Sequence, residues 1–273
     1  MSTLELTNVV KRYRLRSGFR QESLMAVDDV SFELESGQTI ALVGQSGSGK
    51  STIAKLILRL ERPTRGRIRL DGVELPQIKL KQYRRQVQMV FQDPFGSLNP
   101  YHTVAHHLER PLRIHFPDQS PVQRRQELCS LLERVRLTPV EDFARRHPHE
   151  LSGGQRQRVA IARALAPQPR VLIADEPVSM LDVSIRLGVL NLLAQLQREE
   201  NLGVLYITHD LATARHFSDQ IMVMHQGRVV ERGQSDDVIL RPQADYTRRL
   251  AAAAPNPERR LAQVVRTTPG RDL

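Results

Sequence analysis

Residues 39–60 read TIALVGQSGSGKSTIAKLILRL, and few folds accommodate such a run. A short buried strand passes directly into a glycine-rich loop, and the loop into a helix with Ile53, Leu56, Ile57 and Leu60 on one face. Gly44, Gln45, Ser46, Gly47, Ser48, Gly49, Lys50 and Ser51 satisfy G-x-x-x-x-G-K-[ST] at every fixed position. Glycines let the backbone wrap a phosphate with its amide hydrogens turned inward. The helix that follows adds the positive end of its dipole. Lys50 is placed to reach the β- and γ-phosphates of a nucleotide, and the Ser51 hydroxyl to meet its magnesium ion, with Thr52 next in the same segment. A chance glycine turn does not require strand, loop and helix in this order.

Elsewhere strands and helices alternate. LELTNVVKRYRL and MAVDDVSFEL alternate apolar with polar residues, as half-buried antiparallel strands do. GRIRLDGVEL reads as a hairpin about Asp71-Gly72, and VQMVF as a strand ending at Gln92. RVLIAD, GVLYITH and QIMVMHQGRVVERG supply further strands, and IRLGVLNLLAQLQREE a helix with Leu187, Leu190, Leu193 and Leu196 on its apolar side. Between Asp93 and about Glu150, Pro94, Pro100, Pro111, Pro117 and Pro121 divide the chain into helices such as QRRQELCSLLERV. The expected fold is α/β: a P-loop core with a mostly parallel sheet covered on both faces, an N-terminal antiparallel β subdomain and a helical subdomain inserted over about 94–156. The ATPase core is expected to fill residues 1–240, and residues 241–273 to form a tail of one short helix followed by loosely ordered chain.

No window approaches the roughly eighteen apolar residues of a membrane-spanning helix, and MSTLELTNVV lacks the pattern of a secretory signal. Cys129 is the only cysteine, which excludes an intramolecular disulfide or a cysteine-built metal cluster and points to the cytosol. The formal net charge is +10, with basic residues concentrated from Arg59 to Arg85 and from Arg124 to Arg146. With no tryptophan and 4% aromatic residues, few side chains are available to stack on bases. The excess therefore reads as a solvated face, and no nucleic-acid partner is expected.

VLIADEP brings a buried strand to Asp175, at the edge where α/β proteins bind ligands. Asp175 is a candidate magnesium ligand. Adjacent strand residues point apart, so Glu176 is expected to face elsewhere, where it would polarise an attacking water. A second glycine pair, Gly153-Gly154, opens the helix of LSGGQRQRVAIARAL. A loop that already holds phosphate does not by itself account for a second one.

These motifs together decide the resemblance. With Leu151, Ser152, Gly153, Gly154 and Gln155 as LSGGQ, Gln92 after its strand, Asp182 in SMLD and His209 in YITHD, the chain resembles the ATP-binding subunit of an ABC transporter over about residues 1–240. The resemblance implies two ATPase domains meeting head to tail, each signature loop capping the nucleotide held by the other. Ser152, Gly153, Gly154 and their helix start then form an anion half-site without its own lysine, completed when a partner presents ATP. It further implies that Tyr13 stacks on adenine, Gln92 touches magnesium or water and senses the γ-phosphate, Asp182 lies at the dimer interface, and His209 orients the attacking water. Met180 departs from the alanine common before Leu-Asp in relatives, which leaves the packing around Asp182 less defined.

FQDPFGSLNP and RPQADYTRRLAAAAP resemble segments of the ATPases of oligopeptide, dipeptide and nickel importers, although Gln243-Ala244-Asp245 departs from the His-Pro of that group. This implies two integral membrane permeases, a second ATPase subunit in a homo- or heterodimer, and an external solute-binding protein acting indirectly. The chain would sit peripherally on the cytoplasmic face of the inner membrane, touching permease around Phe95 to Tyr101. With Cys129 alone, it matches the member of an ATPase pair that lacks a C-terminal cysteine cluster. The alternative is a non-transport ABC ATPase acting on nucleic acid or ribosomes. The repair type needs a long coiled coil, and no sustained heptads occur; the translation type generally carries two cassettes, and one occurs here. A P-loop kinase leaves the signature helix unexplained. A binding module without catalysis is disfavoured by the presence of Lys50, Asp175, Glu176 and His209.

Overall fold

The computed structural model describes residues 3–17 and 20–253. The loosely ordered tail expected from Pro255 onward lies outside the described residues. Strand β1 (Thr3–Ser17) pairs antiparallel with β2 (Arg20–Glu35). The alternation read from the sequence is real: Leu4, Leu6 and Val9 of β1 and Val30, Phe32 and Leu34 of β2 are buried. Strand β3 (Thr39–Val43) leaves this layer, feeds the glycine loop and continues into α1 (Lys50–Ile57). Strands β4 (Arg65–Leu70) and β5 (Val73–Glu74) return to the antiparallel sheet, which runs β2-β1-β4-β5. Asp71 and Gly72, both at positive φ, make the two-residue hairpin turn between them.

Helix α2 (Leu80–Gln86) leads into β6 (Val87–Val90), which begins the helical stretch. That stretch comprises α3 (Pro94–Ser97), α4 (Val104–His115), α5 (Pro121–Arg134), α6 (Val140–Arg145) and α7 (Gly153–Leu165). Strand β7 (Val171–Asp175), α8 (Val183–Glu199), β8 (Gly203–Thr208), α9 (Leu211–Phe217), β9 (Gln220–His225), β10 (Arg228–Gln234), α10 (Ser235–Leu240) and α11 (Asp245–Ala253) complete the order. The second sheet runs β10-β9-β3-β8-β7-β6, parallel throughout except for the β9–β10 hairpin.

Because strand side chains alternate, the second sheet is buried twice. Ile40, Leu42, Ile173, Leu205 and Ile207 face the antiparallel sheet and α1, while Ala41, Val43, Leu172, Ala174, Val204 and Tyr206 face the helices. This is the expected α/β architecture. Three local expectations change. Helix α1 stops at Ile57 and the chain turns at Arg59, whose φ is 55°, so Leu60 leaves the apolar stripe and is 60% exposed. Strand β6 ends at Val90, two residues before Gln92. On α8 the buried face is Val189, Leu190, Leu193 and Leu196, whereas Leu187 is 51% exposed. Two apolar stripes overlap on that helix, and the sequence period does not say which one faces the core.

Candidate active site

Strands β3, β7 and β8 end side by side, which gathers the loop, the acidic pair and His209 at one sheet edge. Gly47 and Gly49 sit at φ 78° and 110°, where a Cβ is disfavoured. Gly44 is required for a different reason: a Cβ there would lie 2.2 Å from the Met224 carbonyl oxygen. Lys50 is buried and its Nζ donates to the carbonyl oxygens of Gly44 (2.6 Å) and Gln45 (2.9 Å). Burial pulls the Lys50 pKa down, opposed by the carboxylates of Glu176 and Asp175. Burial, then the charge of Glu176, raises Asp175 to about 6 against the pull of Lys50. Within the loop, the Ser48 hydroxyl is buried without a partner among the described residues.

Glu176 and Asp175 line different hollows, as alternation predicts, but Glu176 itself lies just past the strand. Strand β7 ends at Asp175, and Glu176 takes a left-handed conformation (φ 45°) while its N–H continues the ladder to the Ile207 carbonyl at 2.8 Å. Such strain in a non-glycine residue persists where the surroundings over-determine it. Here Ser179 bonds back to the Glu176 carbonyl, and the carboxylate is gripped from two sides. Gln92 Nε2 donates to Glu176 Oε2 at 2.8 Å, and His209 Nδ1 lies 3.0 Å from Glu176 Oε1. Residues placed by β6, β7 and β8 thus converge on one carboxylate. A cleft of about 540 Å³ is lined by Tyr13, Ser46, Lys50, Thr52, Glu176 and His209 among others. The Tyr13 ring is held there by its hydroxyl on Glu61 (2.6 Å) and by Lys11 Nζ, 4.9 Å from the ring centroid.

These residues fit a divalent cation. Half-buried Asp175, its pKa raised by burial and by the neighbouring Glu176 carboxylate, is in a state that a cation would relieve; Gln92 lines both its groove and the adjoining cleft, where the Ser51 hydroxyl supplies a further neutral oxygen.

Residues 27–179 match the family model described as ABC transporter. The chain belongs to the ABC transporter family. The "Glutathione import ATP-binding protein GsiA" of Pectobacterium atrosepticum is 46% identical over 96% of this chain and 43% of its own length. The "Dipeptide transport ATP-binding protein DppF" of Escherichia coli is 45% identical over 96% of this chain and 79% of its own. The "Probable peptide ABC transporter ATP-binding protein y4tS" of Sinorhizobium fredii is 42% identical over 93% of this chain and 73% of its own. This ABC transporter chain therefore spans less than half the length of the GsiA protein that it matches. Among solved structures, the dimeric ATP-binding cassette MJ0796 bound to ADP and Pi is similar at a TM-score of 0.73 and 33% identity, covering 85% of this chain and 98% of that one.

The signature segment of this ABC transporter chain is built differently from the phosphate loop. Ser152 caps α7 in a reciprocal box, accepting from Gln155 N–H (3.3 Å) while Gln155 Oε1 accepts Ser152 N–H (2.9 Å). Gly153 and Gly154 occupy the first helical turn, whose amides have no acceptor within the helix. A Cβ on Gly153 would meet Leu181 at 3.3 Å, and one on Gly154 would meet Ile185 at 2.6 Å. Asp182 stands at the start of α8 and makes no capping bond with its side chain. Met180, Val183 and Leu187 leave a row of exposed apolar side chains beside it.

Sequence reasoning missed the contacts that α7 makes along its length. Near its start Arg156 stacks on the Phe95 ring at 4.2 Å from its centroid, and in its last turn half-buried Arg163 donates to the Ser97 carbonyl. The signature helix therefore grips the segment that follows Gln92. A groove of about 850 Å³ lies against the same segment, lined by Gln92, His102, His106, Arg110, Ile114 and Asp175 among others. Phe95 and Tyr101 are exposed nearby, Tyr101 to 87%.

Proposed function

We propose that this chain is the ATP-hydrolysing, nucleotide-binding subunit of an ABC importer for peptides or a related small solute, with nickel chelates in the same class. The observation that carries this reading is the Glu176 carboxylate held between Gln92 and His209, across the cleft from Lys50. A carboxylate so oriented accepts the proton of an attacking water, and His209 orients that water against the γ-phosphate. Gly44 to Thr52 wrap the phosphates, Lys50 exchanges its two carbonyl partners for phosphate oxygens, and Tyr13 stacks on adenine. Ser51, Gln92 and Asp175 would hold Mg2+, which when bound neutralises charge on the β- and γ-phosphate oxygens.

Ser152, Gly153, Gly154 and Gln155 cap the nucleotide of a second ATPase subunit, and Asp182 lies at that junction. The exposed row Met180, Val183 and Leu187 supports a partner surface there. Two membrane permeases dock along the groove beside Phe95 to Tyr101, with a solute-binding protein acting through them. Among the described residues no helix is long and apolar enough to cross a membrane, which fits a peripheral subunit on the cytoplasmic face. Residues 1–240 form the ATPase domain, with the helical insertion over about 94–156 and a tail over 241–273.

Glu176→Gln tests the core of the reading. It should retain ATP binding while turnover falls by roughly a hundredfold or more, with an ATP-bound dimer accumulating in sedimentation. Full-rate hydrolysis by that variant would remove Glu176 as the base.

A further inference from the structure

The strongest unassigned contact lies outside the matched family region. Tyr246, on α11, is buried and its hydroxyl accepts the backbone N–H of Gln45 at 3.2 Å. That N–H belongs to the Gly44–Gln45 peptide, whose carbonyl, Gly44 O, accepts Lys50 Nζ at 2.6 Å. A peptide unit is planar, and its N–H and C=O point to opposite edges. One group therefore holds the peptide by each edge: Lys50 from inside the loop, Tyr246 from outside. Turning that plane to release one contact turns the other.

The outer contact is itself well supported. The Tyr246 ring stacks on His225 at 3.9 Å between centroids and 26° between planes. His225 follows Met224, whose carbonyl already blocks any Cβ at Gly44, so β9 and α11 back the same peptide. The β9–β10 turn adds a third brace, with Gly227 N–H donating to the Ser48 carbonyl at 2.9 Å. Helix α11 is anchored in turn by Glu231, whose carboxylate accepts the Gln243 and Ala244 amides at 2.8 and 3.0 Å.

We propose that Tyr246 is a positioning residue for the phosphate loop: by accepting the Gln45 N–H it fixes the peptide that holds Lys50, and so ties the segment after the core to nucleotide affinity. This rests on the nucleotide-binding reading above. Without the hydroxyl, the Gln45 N–H loses its acceptor and the Gly44–Gln45 peptide of the empty loop is free to turn out of place. The loop must then be ordered by the nucleotide, which weakens binding. The ring and its stack on His225 do not depend on the hydroxyl, so Tyr246→Phe separates positioning from folding.

The test uses the whole chain and a fluorescent ATP analogue, together with thermal melting without nucleotide. Tyr246→Phe should bind the analogue about three- to tenfold more weakly, as expected for one lost hydrogen bond, while its nucleotide-free Tm stays within about a degree of the unsubstituted chain. Arg249→Ala changes an exposed side chain of the same helix and should bind normally. Unchanged affinity in Tyr246→Phe, or an equal loss in Arg249→Ala, overturns the proposal. If the unsubstituted chain fails to bind the analogue at all, the nucleotide-binding reading falls first, and this proposal with it.

Discussion

The two glycine-bearing helix starts of this molecule look alike as text and differ in almost every physical respect. The phosphate loop needs glycine for backbone reasons: Gly47 and Gly49 lie at positive φ, and Gly44 and Gly49 press against carbonyl oxygens. The signature turn needs glycine for packing reasons. Gly153 and Gly154 have ordinary helical geometry, and it is side chains that crowd them: Ile185 of α8 lies 2.6 Å from a Cβ on Gly154, and Leu181, less tightly, 3.3 Å from one on Gly153. The first start contains its own lysine, faces two acidic side chains and is braced from behind by β9, β10 and α11. The second offers helix amides and a serine cap. A site that brings its own countercharge binds alone, whereas a bare helix start waits for a partner to supply the anion's remaining contacts.

That contrast breaks most sharply on Lys50 and Ser152. Lys50→Ala should weaken monomer ATP affinity by at least about tenfold and abolish turnover, because it removes the one buried cation of the cleft. Ser152→Arg should lower turnover by about a hundredfold while monomer ATP affinity, measured by equilibrium binding, stays within about twofold. If Ser152→Arg lost affinity as Lys50→Ala does, the two helix starts would belong to one site and the comparison would fail.

Stability separates the two starts next. In Gly49→Ala the new Cβ combines φ 110° with a 2.3 Å approach to the Ala26 carbonyl, so urea unfolding should show a loss of about 3 kcal/mol. Gly153→Ala meets only the tip of Leu181 at 3.3 Å, a side chain that can shift, and should lose less than about 1 kcal/mol. Equal losses would mean that both starts are constrained by the same cause.

The smallest effect concerns the brace behind the first start. Burial pushes the Glu231 carboxyl up, but the Gln243 amide, the Thr247 side chain, the Ala244 amide and the charge of Arg248 together outweigh it and leave its pKa below the ordinary glutamate value. A depressed carboxylate contributes stability above its unfolded pKa and loses it as pH falls through the folded one. Glu231→Gln should therefore cost about half a kcal/mol at neutral pH, the difference from wild type shrinking as the solution is acidified below pH about 4. A difference independent of pH would assign the loss to packing instead.

Much of this was legible in the residues because the relevant signals are local. The order strand, glycine loop, helix fixes the phosphate loop, since short-range φ/ψ demands and a period of 3.6 need no distant partner to be read. The Asp71-Gly72 hairpin and the buried runs of β3, β7 and β8 belong to the same class. How Glu176 is held was not legible: alternation separates it from Asp175, but only the end of β7 and the grip of Gln92 and His209 fix its carboxylate in the cleft. Leu187 and Leu60 illustrate the same limit, because apolar spacing marks a stripe without saying whether the chain turns or which of two stripes meets the core.

The sequence alone determined that the chain builds an α/β nucleotide-binding core with a signature helix, because each motif there is a contiguous run whose geometry is set within a few residues. Tertiary structure alone decided how those runs meet. It brought Gln92, Glu176 and His209 together from three strands, laid Arg156 and Arg163 of the signature helix on the segment after Gln92, and returned Tyr246 to a peptide two hundred and one positions earlier. Contacts of that kind depend on the order in which strands line up in the sheet, and no local pattern of side chains carries that order.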